Sequence, residues 1–151
     1  MLSITVTNSI MKTINYFLTF LFLFFAALQY NDPDPYVWIP IYLSASVLSF
    51  FAARQRFFPR IYLAVITVYL LYAAWLFFEN QGVLSWFFDH EAENIVQEMN
   101  DQKPWIERTR EFFGLAICVF AIALNQWWYT TIRKSDERIA KKRRRKTMAE
   151  I

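Results

Sequence analysis

Residues 61–78 read IYLAVITVYLLYAAWLFF, a stretch without a single charge. As a helix rising about 1.5 Å per residue, such a run crosses roughly 27 Å, close to the thickness of a bilayer's hydrocarbon core. Working outward, residues 36–53 and 112–132 are also uncharged and of similar length. Residues 16–28 form a fourth uncharged run, which reaches spanning length once Thr13, Ile14, Asn15, Gln29 and Tyr30 are counted at its ends. The pattern predicts spans near residues 13–30, 36–53, 61–78 and 111–132. Composition argues against a soluble globule: 56% of the 151 residues are apolar, 20% are aromatic and 16 are Phe. The interior of so small a domain cannot enclose that bulk. Lys12 ahead of an apolar stretch is also how a signal peptide begins, but Ala26-Ala27-Leu28-Gln29 is a poor small-x-small cleavage site. Met11-Lys12 reads instead as the start of a membrane helix, with the first ten residues an extension before it.

Lysine and arginine on short connections set orientation. Of the 16 basic residues, 13 fall on one side: Lys12, then Arg54, Arg56 and Arg60, then nine after Ile132. The remaining three, Lys103, Arg108 and Arg110, share the segment 79–111 with eight carboxylates. The expected topology places both termini in the cytoplasm and the acidic connections outside. Residues 133–151 then form a basic cytoplasmic tail, suited to anionic lipid headgroups rather than to nucleic acid. Within the outward segment Leu84, Phe88, Ala92, Ile95, Met99 and Ile106 recur near the helical period, with Asp89, Glu91, Glu93 and Glu98 largely off that stripe. The expected architecture is therefore an all-α membrane protein. Residues 1–132 make an antiparallel bundle of four transmembrane helices, with an amphipathic surface helix at 82–103 between the third and fourth. Trp86-Phe87-Phe88 and Trp127-Trp128-Tyr129 suit the two membrane interfaces. Ala45, Ser49 and Ala53, like Gly114 and Cys118, are spaced by four and allow helices to approach closely.

Two polar strings flank the spans at the outward side. In Gln29-Tyr30-Asn31-Asp32-Pro33-Asp34-Pro35, Asn and Asp favour turns by bonding their own backbone two residues on. Asp34 can cap the second helix, and Pro35 suits its first position. The same carboxylates can serve as a binding site for a cation, a substrate or a partner's basic residue. The second string is Lys103-Pro104-Trp105-Ile106-Glu107-Arg108-Thr109-Arg110-Glu111. Arg110 can pair with Glu107 on its own helix or reach Asp32 or Asp34 across the mouth of the bundle, and such a clamp is the preferred structural use of the two strings together. The candidate structural or binding residues are Asn31, Asp32, Asp34, Glu107, Arg110 and Glu111.

The string Gln29 to Pro35, followed by an aromatic helix start, four spans and Arg110-Glu111-Phe112-Phe113-Gly114-Leu115 opening the last, resembles the transmembrane protein 220 family. The likeness covers roughly residues 11–132 and leaves out the first ten residues and the basic tail. It implies a small four-helix membrane protein and supplies no mechanism. The Phe-rich composition resembles bacterial members, which implies a bacterial inner membrane.

The sequence offers little to a catalyst. No glycine-rich phosphate loop, nucleophile elbow or metal motif is present. Cys118 stands alone, which excludes an internal disulfide, and His90 is the single histidine, so a bis-histidine haem within the bundle is excluded. No carboxylate or basic residue lies deep in a span, whereas proton and ion pathways need such groups. The expected function is non-enzymatic: no catalytic, cofactor or metal residues, and an accessory or assembly subunit packing against other membrane subunits in the bilayer. The alternative is a small membrane carrier or binding protein whose site lies at the outer mouth.

Overall fold

The computed structural model describes residues 2–96 and 103–149. Among these residues the regular structure is entirely helical. In chain order the elements are α1 (Leu2–Leu28), a 3-10 turn (Gln29–Asn31), α2 (Pro35–Ala53), α3 (Pro59–Phe78), a short α4 (Val83–Phe88), α5 (Pro104–Trp128), a π-helical turn (Tyr129–Arg133) and α6 (Lys134–Ala149). Four helical stretches are long and apolar enough to cross a membrane: Asn8–Asn31, Pro35–Ala53, Pro59–Phe78 and Pro104–Lys142. Proline opens α2, α3 and α5; at that position its fixed φ suits the helix and its missing N–H costs nothing. α1 runs back to Leu2, so the first ten residues are not an extension outside the helix.

α2 is the hub. Its small-residue face, Ala45, Ser49 and Ala53, is fully buried, as expected of positions where backbones approach closely. α2 folds back along α1, with Ser46 donating to the Thr19 carbonyl at 2.8 Å and Phe25 set edge-on to Tyr42. From α3, Tyr62 donates to the carbonyl of Leu48 and Tyr69 to that of Ile41. Donors and acceptors are each seven residues apart, so two turns of α3 are laced to two turns of α2. α5 fills the remaining side with Leu115, Cys118 and Ile122, none of them exposed.

This packing gathers the connections at two ends. Trp38 at the start of α2 bonds Glu111 at the start of α5, and Arg108 of α5 pairs with Glu79, which caps α3. The end of α1 and the turn at 31–35 join them there, forming the mouth. At the far end Phe57, between α2 and α3, stacks on Tyr62 and on Tyr129, at 3.9 and 4.2 Å between ring centres. α2 closes there with Arg56 N–H bonding the Phe51 carbonyl and Gln55 N–H that of Ala52, both at 2.9 Å. Gln55 adopts φ 57°, the left-handed turn that ends many helices.

The surface helix expected over 82–103 is not formed at that length. Among the described residues of that stretch, helix is confined to Val83–Phe88, and Phe88, expected on the apolar stripe, is 73% exposed. The chain then turns through Glu91 and Ala92, both left-handed at φ 50° and 51°, a region no right-handed helix can pass through. The competing interactions are local. Trp86 donates its indole N–H to the Glu93 carbonyl at 2.8 Å, and its own carbonyl accepts from Ala92 N–H at 3.0 Å. Met99 of the expected stripe, and Glu98 off it, lie outside the described residues, and Ile106 belongs to the core side of α5.

Candidate functional site

At the mouth, the turn after α1 and the first turns of α2 and α5 enclose a cavity of about 350 Å³. Its walls include Leu28, Asn31, Asp32, Trp38, Tyr42, Glu107, Arg110 and Glu111. Five of the six residues singled out in the sequence therefore meet around one space. The sixth, Asp34, does not line it.

The turn explains the difference. Asp32 accepts the backbone N–H of Asp34 at 3.0 Å, the bond two residues on that Asp favours. Asp34 occupies the N-cap of α2, but it caps through its backbone carbonyl, which accepts from Val37 and Trp38. Its side chain makes no cap bond, because the hydroxyl of Tyr36 donates to that carboxylate at 2.8 Å. The expectation of Asp34 as a side-chain cap is corrected accordingly.

One wall of the cavity is an ion cluster. The Glu111 side chain, 8% exposed, accepts from the Trp38 indole at 2.8 Å and from Arg108 Nη1 at 3.0 Å. Arg108 Nε pairs with Glu79 at 3.3 Å, and the guanidinium lies 5.6 Å from the centre of the Trp75 ring. A carboxylate taken this far out of water needs such charged and hydrogen-bonding partners. Among the pairs described here, the ties between helices at the mouth are the Trp38–Glu111 bond from α2 to α5 and the Arg108–Glu79 pair from α5 to the end of α3. The signal for Arg108 was its position three residues before Glu111. Nothing local pointed to Trp38 or Glu79, which come from other helices.

Tyr42 is the other residue that sequence reasoning missed. It is 9% exposed, lines the cavity, and its hydroxyl makes no hydrogen bond among the described residues. It reaches this position over Gly114, where a Cβ would collide with the hydroxyl oxygen. A glycine that looked like a helix-packing residue therefore makes room for a phenol at the cavity floor.

Beside the mouth, the loop after α4 is tied by Glu93, whose carboxylate accepts from Lys103 Nζ and from the Trp105 indole at 2.6 Å. Chiefly the Lys103 bond, and then that of Trp105, holds the Glu93 carboxyl below its ordinary value of 4.5. His90 stacks on Trp105 at 3.5 Å between ring centres. Among the described residues no three His, Cys, Asp or Glu side chains gather in a way that could hold a metal ion.

A family model described as "Transmembrane family 220, helix" matches residues 21–127. That span contains α2, α3, all of α5 but its last residue, and every residue lining the cavity. The match does not bear out a specifically bacterial member. No curated protein and no solved structure matches the chain.

Proposed function

We propose that this chain, which belongs to transmembrane family 220, is a non-enzymatic membrane binding protein whose site is the cavity at the mouth of its bundle. The observation that carries the reading is the enclosure itself. Acidic, basic and amide side chains from the turn after α1 and from α5 converge, with Trp38 and Tyr42 of α2, on a space at the lower end of the roughly 300–1,000 Å³ typical of small-ligand sites. None of the lining residues is a hydroxyl or thiol nucleophile paired with a base, so the site binds and orients rather than reacts.

Purification of the full chain in mild detergent, with identification of everything that accompanies it, tests this. A lone chain carrying a small molecule is expected, and Tyr42→Trp, which fills the floor, should lose that molecule. A stoichiometric protein partner and an empty cavity would favour the second reading, an accessory or assembly subunit. That reading rests on the ridge of Phe17, Phe20 and Phe24 on α1, exposed by 65, 68 and 59%, a surface that lipid covers equally well. Both readings place the termini in the cytoplasm, on the strength of the basic residues at the far end, with the first charges of α6 near anionic headgroups.

A further inference from the structure

We propose that the turn between α2 and α3 holds one phospholipid of net negative charge, its phosphate set between the guanidinium groups of Arg54 and Arg56 and its acyl chains over Phe50. The turn is fixed before any ligand arrives. The N–H groups of Arg54, Gln55 and Arg56 bond the carbonyls of Phe50, Ala52 and Phe51 in that order, and Gln55 turns the chain through φ 57°. Phe57, stacked on both Tyr62 and Tyr129, anchors the far side of the turn. Phe58 stands edge-on to Phe51 at 5.6 Å between ring centres. Beside this backbone lies a cavity of about 250 Å³ lined by Phe50, Phe51, Arg54 and Arg56. Its walls are two phenyl rings that close an apolar helix and two arginines that follow directly after it.

Charge selects the class. Arg54, Arg56 and Arg60 are exposed, and no carboxylate pairs with any of them among the described residues. Like charges gathered on one short turn repel one another. A phosphate relieves that repulsion, because guanidinium forks match its oxygens two at a time. The C-terminal end of a helix ordinarily repels an anion through its free carbonyls. Here three of those carbonyls are already bonded to the N–H groups of the turn, and the turn leads into the N-terminus of α3, where the helix charge is positive. A zwitterionic headgroup fits less well, since its ammonium meets no carboxylate among the residues lining this cavity. Depth selects a lipid over a free phosphate ester of the same chemistry. α2 is long and apolar enough to span the bilayer and ends at Ala53, so Arg54 and Arg56 stand where hydrocarbon gives way to headgroups. Phe50, one turn earlier and 43% exposed, offers its ring to the acyl chains.

The test uses the full chain in nanodiscs of phosphatidylglycerol and phosphatidylcholine in equal parts, with the same acyl chains on both. Partial delipidation is followed by native mass spectrometry. One phosphatidylglycerol per chain should be retained over phosphatidylcholine. Arg54→Gln and Arg56→Gln should each lower that retention by about tenfold, and Arg56→Lys, which keeps the charge and loses the fork, should lower it by less. Arg60→Gln removes the same charge from the same turn, but Arg60 does not line the cavity, so retention should be unchanged. Should Arg54→Gln fail to fold, Arg56→Gln alone decides the assignment. Calorimetry with soluble glycerophosphoglycerol separates the sources. No binding beside retained lipid supports the lipid, and binding as tight as that of the lipid overturns it in favour of a free phosphate ester. Equal retention of the two lipids, an equal loss with Arg60→Gln, or retention untouched by both cavity variants overturns the site and leaves only a diffuse basic field. An acidic protein that accompanies the chain and is released by Arg56→Gln overturns the lipid as its occupant.

Discussion

Tyr42 and Gly114 illustrate how one atom's worth of space sets what the mouth can do, and Gly82 does the same for the loop. A Cβ at Gly82 would run into the carbonyl oxygen of Leu76, and backbone cannot yield as a flexible side chain can. Gly82→Ala should therefore cost about 1–3 kcal/mol, read as a lower melting temperature in detergent. Ala92 argues in the opposite direction. It pays for a left-handed backbone at φ 51°, so Ala92→Gly should stabilise the protein by up to about 1 kcal/mol. Glu93 supplies a pH dependence. Its carboxyl is held below 4.5, first by Lys103. The depressed value means that its contribution is complete above pH 4.5 and is lost as the pH falls through the lower folded-state value. Hydrogen exchange across residues 86–93 should accelerate over that acid window, and the step should vanish in Glu93→Gln. The turn at Asp32 and the pairing of Arg108 with Glu111 were open to sequence reasoning, because each is a bond between near neighbours along the chain. Tyr42 was not, since its role depends on a glycine far away on another helix.

Among the elements, the lacing of α3 to α2 teaches most. Tyr62 and Tyr69 sit one heptad apart in a run that reads as plain hydrocarbon, yet both phenols donate to α2 carbonyls. Tyr62→Phe and Tyr69→Phe keep the ring and remove the bond. Each should cost about 0.6 kcal/mol and at most about 1.7, the range measured for hydrogen bonds between membrane helices. Thermal melts of the two variants and of the pair check this, and additivity is expected for sites two turns apart. The long apolar helices were legible because uninterrupted hydropathy over such lengths has one common meaning. The segment after α4 was not. Its apolar spacing fits a helix, and only the capture of the Glu93 carbonyl by Trp86, with the Glu93 side chain tied to Lys103 and Trp105, makes the turn at Glu91 and Ala92 the better solution.

At the scale of the whole molecule, the helices bring the 31–35 turn and the start of α5 to one end, with Glu79 at the close of α3, and the arginine-rich turn to the other. Reporter fusions after Arg56 and after Lys146 should therefore give the same signal as each other and the opposite of a fusion near Glu91. Like signals at all three positions would break the four-span arrangement. The end of the chain carries a mechanical consequence. Trp128, Tyr129 and Lys134 keep right-handed helical backbone through the π-helical turn, so α5 runs into α6 without a joint. Lys141 then stands about 18 Å along that axis from Tyr129, beyond the roughly 8 Å over which salt at physiological strength lets a charge be felt. Lys141, Lys142 and Arg145, all exposed, therefore ride on one continuous helical arm rather than on a jointed tail, and ionic strength sets how far from that arm their charge is felt.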